Sequence, residues 1–224
     1  MKNEKFFKNL QLFIEGGTCA FTCVEQIKKK LTENNFQEMV ENTTWKSLPN
    51  TFFVTRNDSS IIAVKIPENF ENSFHIVTTH LDTPALLLKP NGVFLKENYL
   101  QYNVMPYGGL LNYGWLDKPL SLAGRVLVKK GNVWHTKIVD FKDTVAVIPS
   151  VAIHQNDKAN SSLDLNMQND LQPLFFLSEE KNDWNTFLST YLKISKNEKI
   201  GDYELFLYDN STPVTFGKNH ELLL

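Results

Sequence analysis

The order of apolar and polar positions divides the chain into a helical start and a strand-rich remainder. Between residues 3 and 15, apolar side chains recur at Phe6, Phe7, Leu10, Phe13 and Ile14, the spacing of an amphipathic helix. Gly16-Gly17 ends that helix. Thr18 is placed to cap a second one, whose apolar stripe is Ala20, Phe21, Val24, Ile27 and Leu31. The period then drops to two. Residues 51–56 and 60–66, joined at Asn57-Asp58, predict a hairpin. Residues 74–84 read FHIVTTHLDTP, a β-branched apolar run that predicts a short buried strand, which Pro84 stops. The predicted opening is αα-βββ.

After Pro84 the texture changes. Strands are predicted at 85–89, 94–96, 99–104, 122–129, 133–139 and 144–148, with turns at Lys89 to Gly92 and at Gly131-Asn132. Such regular spacing suggests a small β-sandwich or barrel inserted into the first domain. Between the strands, 107–119 places glycines among aromatics, as a closely packed loop requires. Residues 148–154 (IPSVAIH) read as a strand or short helix, and 155–170 as a polar surface loop. Trp184, Phe187, Leu188, Tyr191 and Leu192 predict a helix over 183–194, capped by Asn182 or Asp183. A strand follows at 203–208, and Leu222 to Leu224 looks like the start of another.

Composition narrows the functional classes. The 224 residues, 42% hydrophobic and 21% charged, fit one large or two small soluble domains. A formal net charge of −2 gives no footprint for nucleic acid, and Lys28-Lys29-Lys30 reads as a solvated helix face. No apolar run approaches the roughly 20 residues needed to span a membrane. Cys19 and Cys23 lie four apart in a predicted helix, where a disulfide would close a trivial loop. With no secretory leader in the charged N-terminus, the expected compartment is the reducing cytoplasm.

The candidate chemistry centres on His80 and Asp82. Residues two apart on an extended segment project to the same side, so both would face one crevice at the end of a strand. A neutral imidazole is a zinc ligand, and a neighbouring carboxylate can orient it. The ordinary alternative is a surface His and Asp at a turn. A catalytic zinc site needs about three protein ligands, and the other histidines do not complete one convincingly. His75 alternates away from His80, His135 adjoins Trp134 in a hairpin strand, and His220 lies in a polar turn. His154, after the apolar IPSVAI, is open to either a structural or a functional reading. No phosphate loop and no nucleophile elbow occurs. Metal-assisted hydrolysis is left by elimination, and it is incomplete.

Longer motifs resemble one family. THLDTPALLLKP, at 79–90, resembles the zinc-ligand strand of the aspartyl aminopeptidases, dinuclear zinc exopeptidases. FFKNLQLFIEGGTCAFTCVEQIKKKLTENNF resembles that family's N-terminal helices, and WKSLPNTFFVTRNDSSIIAVKIP its first strands. YGGLLNYGWLDKPLSLAGRVLVK is similar to its Tyr-Gly-Gly…Trp…Asp-Arg-x-Leu-x-x-Ala-Gly-Arg-Val segment, and IPSVAIH to its Ile-Pro-x-x-Ala-Ile-His. The motifs occur in register along almost the whole chain.

The resemblance implies an α/β fold: a partial αβα zinc-peptidase domain interrupted by a β-rich dimerisation domain. Residues 1–90 would begin the peptidase domain, 91–210 would form the insertion, and 211–224 would start the return. By the same carry-over His80 would bind zinc and Asp82 would support it. His154 would reach the active site of a dimer partner and contact the substrate.

The departures bear on activity. The family's Ser-Pro-x-x-x-His is here Gly17 to Thr22, with Thr22 in place of the histidine, and its Asp-Arg is Asp117-Lys118. Its Arg-Leu-Asp motif, Glu-Glu pair, further Asp and final His belong to sequence beyond residue 224. The expectation is therefore the N-terminal portion of a zinc aminopeptidase that removes N-terminal, acidic residues from peptides. The family site holds a pair of zinc ions; this chain would supply at most one ligand and be inactive alone. Its partners would be a peptide substrate and either further copies of itself or a second chain completing the peptidase domain. The alternative is a non-catalytic assembly or regulatory subunit acting through the β-rich domain.

Overall fold

The computed structural model describes residues 2–69, 73–162 and 164–224. It divides into two compact units, residues 1–83 and 84–224.

The first unit carries helices α1 (Lys2–Gly16) and α2 (Ala20–Glu33), then strands β1 (Gln37–Glu38), β2 (Thr51–Arg56) and β3 (Ser60–Lys65). Both helices form where the apolar spacing places them, and α2 buries Phe21 and Val24. Its cap is Cys19 rather than Thr18: the Cys19 amide donates to Thr22 Oγ1 at 2.9 Å, and Thr22 is itself buried. A hydroxyl at that position thus closes the first turn of the helix and satisfies an otherwise orphaned donor. Strands β2 and β3 form an antiparallel hairpin in which Thr55 pairs with Ile61. Asn57 and Asp58, central in the turn that the Ser59 amide closes onto the Arg56 carbonyl, both adopt positive φ, which matches the right-handed twist of the strands. Strand β1 adds to β2 in parallel, and Phe52 and Phe53 are buried.

The strand expected over 74–79 does not form. Residues 73–84 enter no ladder, and Phe74, Ile76 and Val77 are 80%, 80% and 93% exposed. A strand draws its hydrogen bonds from a neighbour, and no ladder among the described residues includes this segment, whatever its propensity.

The second unit contains β4 (Ala85–Lys96), β5 (Tyr99–Tyr107), a short 3-10 turn (Asn112–Trp115), β6 (Leu120–Lys130), β7 (Val133–Asp140), β8 (Leu174–Leu177), α3 (Asp183–Tyr191), β9 (Glu198–Asp209), β10 (Thr215–Phe216) and β11 (Leu222–Leu223). Six strands make one antiparallel sheet in the order β7-β6-β9-β4-β5-β8, and β10 pairs with β11 separately. The strands expected at 85–89 and 94–96 are one continuous strand with a register shift between Leu88 and Val93. The strand expected at 144–148 is reduced to two bridges, Ala146 to Leu120 and Val147 to Leu174. Those bridges join β6 to β8, so the segment closes the sheet into a barrel-like ring. Strand β8 was not foreseen, because four apolar residues after a proline carry no alternation to read. The expected loop at 155–170 is a series of turns, with position 163 outside the described residues.

Alternate residues of the strands fill the interior, including Leu86, Leu100, Tyr102, Leu122, Val126, Leu205 and Leu207. Helix α3 inserts Trp184 and Leu188 into this core. The polar tips of its aromatics are partnered. Tyr102 and Tyr203 join hydroxyls at 2.6 Å, and Trp184 Nε1 donates to Tyr203 at 3.0 Å. Gly124 is required by the β6–β9 ladder, since a Cβ there would lie 2.0 Å from the Glu204 carbonyl oxygen.

Candidate active site

His80 and Asp82 lie within residues 73–84, which precede β4 and belong to no helix or strand. Their side chains meet: His80 Nδ1 donates to Asp82 Oδ1 at 2.9 Å. The contact puts residues i and i+2 on one side of the chain. With Nδ1–H committed to the carboxylate, the lone pair of Nε2 points outward from a ring whose side chain is 92% exposed. That is the arrangement in which an imidazole serves as a metal ligand, its ring held by the carboxylate behind it. The pair fits one arm of a zinc site. Among the described residues, no group of three or more His, Cys, Asp or Glu is assembled that could hold a metal ion.

Thr22, standing where the resemblance places a histidine, is occupied with the cap of α2. Its hydroxyl also donates to the Cys19 carbonyl at 3.0 Å.

His154 belongs to the second unit and is exposed. The segment 148–154 forms neither the strand nor the helix expected of it. Ile148 is fully buried, whereas Val151 and Ile153 are 54% and 51% exposed. A single turn follows, in which the Gln155 amide donates to the Ala152 carbonyl at 2.8 Å. The apolar run therefore anchors at one residue and projects the rest outward. Pro149 cannot donate to a ladder, so the segment leaves the sheet at that point.

A residue read only as part of a motif turns out to hold this segment. Asp117 Oδ1 accepts from the Ser150 amide at 2.8 Å, and the Asp117 amide donates to the Ile148 carbonyl at 2.9 Å. The Ser150 amide and hydroxyl hold the Asp117 carboxyl below its ordinary pKa. Beside it, Lys118 Nζ reaches Asp209 Oδ2 at 2.5 Å. Spacing could not reveal a contact across 33 positions; the one available signal was a charged pair, Asp117-Lys118, inside an otherwise apolar loop. His75 and His220 are exposed and His135 is half-buried.

Comparison with known proteins follows the same lines. Residues 13–224 match the peptidase M18 family, described as aminopeptidase I zinc metalloprotease. A probable M18 family aminopeptidase 2 of Clostridium acetobutylicum is 36% identical over 233 residues, covering 100% of this chain and 54% of the relative. A chain in a cryo-EM structure of the Ape4 and Nbr1 complex superposes with a TM-score of 0.89 at 31% identity, over 96% of this chain and 46% of that one. The mApe1 dodecamer of S. cerevisiae superposes at 0.82 with 21% identity, over 100% and 52%, a likeness of fold. The chain spans about half the length of the relatives it matches.

Proposed function

Because the chain belongs to the M18 family of aminopeptidase I zinc metalloproteases, we propose that it is the N-terminal portion of a zinc aminopeptidase acting on peptides with an acidic first residue. The observation that carries the reading is the His80–Asp82 pair, an imidazole with one nitrogen tied to a carboxylate and the other presented outward. His80 would ligate zinc through Nε2. Asp82 would hold the tautomer and strengthen the ligand without touching the metal. Zinc in such sites activates a water and polarises the scissile carbonyl. His154, from a second copy of the chain, would donate to the substrate oxygen on which charge develops. The preference for acidic residues rests on the resemblance of the motifs to the aspartyl aminopeptidases.

We assign residues 1–90 to the peptidase domain, 91–210 to a dimerisation insertion and 211–224 to the return into the peptidase domain. The exposed apolar segment at 74–77 supports the first of these. A run apolar on both faces is characteristic of a strand in the interior of a parallel sheet, so it would take neighbours from the remainder of the peptidase domain. The remaining metal ligands and the general base would come from that same remainder, whether continuous with the chain or on a second polypeptide. The 224 residues alone would then be inactive. A cytoplasmic homo-oligomer is the proposed setting. Support comes from the dodecamer named for the yeast relative, and no described helix is long and apolar enough to cross a membrane.

Native mass spectrometry of the protein purified from its source, with metal content and hydrolysis of peptides bearing N-terminal aspartate or glutamate, tests the reading. An assembly with zinc and acidic-residue release is expected. A metal-free homo-oligomer without peptidase activity would overturn it and assign the function to the β-rich domain as an assembly module.

A further inference from the structure

His154 is presented by a segment with three fixings. Ile148 is sunk in the barrel core, and Pro149 carries a restricted φ immediately after it. Ser150 is then held from outside by Asp117, whose carboxylate takes its amide at 2.8 Å while the Asp117 amide holds the Ile148 carbonyl. Beyond Ser150 the chain is exposed until the turn at Ala152 to Asn156, on which His154 sits.

Asp117 is itself placed by the barrel. Lys118 is tied to Asp209 at the end of β9, Leu120 pairs with that same Asp209, and the Asn210 amide donates to the Pro119 carbonyl at 2.8 Å. Residues 117–120 are therefore fastened to the closed sheet on one side and to the segment 148–150 on the other.

We propose that Asp117 is a positioning residue for His154: with Lys118 as its anchor, it clamps Ser150 and so determines where the exposed turn holds the imidazole. The role of His154 in substrate binding comes from the proposed function, on which this inference rests; the clamp itself does not require catalysis. Two adjacent residues of opposite charge divide the task. Lys118 spends its charge on the sheet and Asp117 on the strap. A charged acceptor suits it, because an amide held by an ionised carboxylate is bound more strongly than one held by a neutral group.

The test uses the 224-residue chain, labelled for NMR, with Asp117→Ala and Asp117→Asn. The main-chain bond from residue 117 to Ile148 survives in both, and residue 117 is exposed, so both variants should keep the wild-type melting temperature. Three results are expected. In the wild type the Ser150 amide proton follows the titration of Asp117. In Asp117→Ala its hydrogen exchange rises about tenfold, the loss of one hydrogen bond to a charged acceptor, and the His154 imidazole signals shift and lose order. Asp117→Asn, which keeps an acceptor oxygen, restores most of both. Unchanged exchange at Ser150 and an unchanged His154 ring in Asp117→Ala would overturn the clamp. The catalytic reading is tested separately, by the effect of His154→Ala on kcat/KM in the active assembly, so the two can fail independently.

Discussion

The Asp82 carboxylate takes the Nδ1–H of His80 at 2.9 Å across a single intervening residue. The contact is local, and it orients an imidazole whose side chain is 92% exposed. Removing the carboxylate should therefore weaken zinc binding without altering the fold. In the 224-residue chain, titration with zinc followed on the five histidine rings should move His80 first. Asp82→Ala should weaken that response about 10–100-fold, and His80→Ala should remove it. A response led by another histidine would contradict the assignment.

Gly124 permits the closest approach in the large sheet. Gly124→Ala would drive a methyl group against the Glu204 carbonyl, whose strand cannot move without breaking its pairing to β4 as well. A loss of about 1–3 kcal/mol or more is expected, measured by urea denaturation of the chain. A wild-type midpoint would show that the ladder yields there more readily than its geometry implies.

Tyr203 is the common partner of two buried polar groups, the Tyr102 hydroxyl and the Trp184 indole. Burial, and then the Tyr203 bond, hold the Tyr102 hydroxyl well above its ordinary pKa. Tyr203→Phe should cost about 1–3 kcal/mol, because it takes the acceptor from the buried Trp184 indole and one of the partners from the Tyr102 hydroxyl, which keeps Gly92. The same denaturation experiment reads it.

Tyr191 stacks on Phe141 with ring centroids 4.0 Å apart and donates to Asp143 Oδ2 at 2.7 Å. Burial, and then the Asp143 carboxylate, push its pKa up from 10.0 to about 12. A raised native value means the folded state holds the proton more tightly. The contribution to stability is therefore complete below pH 10 and is lost as the pH rises from 10 toward about 12. Asp143→Asn should bring the phenol's titration down toward 10, seen as a tyrosinate absorbance difference against Tyr191→Phe. An unmoved titration would leave burial as the whole cause.

Local patterns were legible wherever a residue's neighbours in sequence are also its neighbours in space. The two helices, the hairpin turn at Asn57-Asp58 and the shared side of His80 and Asp82 are of this kind, since each depends on a backbone period of a few residues. Helical spacing also placed Trp184 and Leu188 on one face of α3. Thr22 stands out in the sequence only as a departure from a histidine; its use at the helix cap is not legible there, because capping is decided by which residue leaves the helical conformation first.

What the sequence by itself determined was therefore the identity and facing of the short elements, and the pairing of His80 with Asp82. The tertiary structure alone decided the ladder partners. It gave 74–79 no ladder among the described residues, although the run has every local property of a strand. It enrolled Leu174–Leu177 and the bridges at Ala146 and Val147 to close the sheet, and it brought Asp117 to Ser150. A side chain's period is written within a few residues of it. The hydrogen bonds of a strand, and the clamp on an exposed turn, are made with residues far along the chain, and only folding brings them within reach.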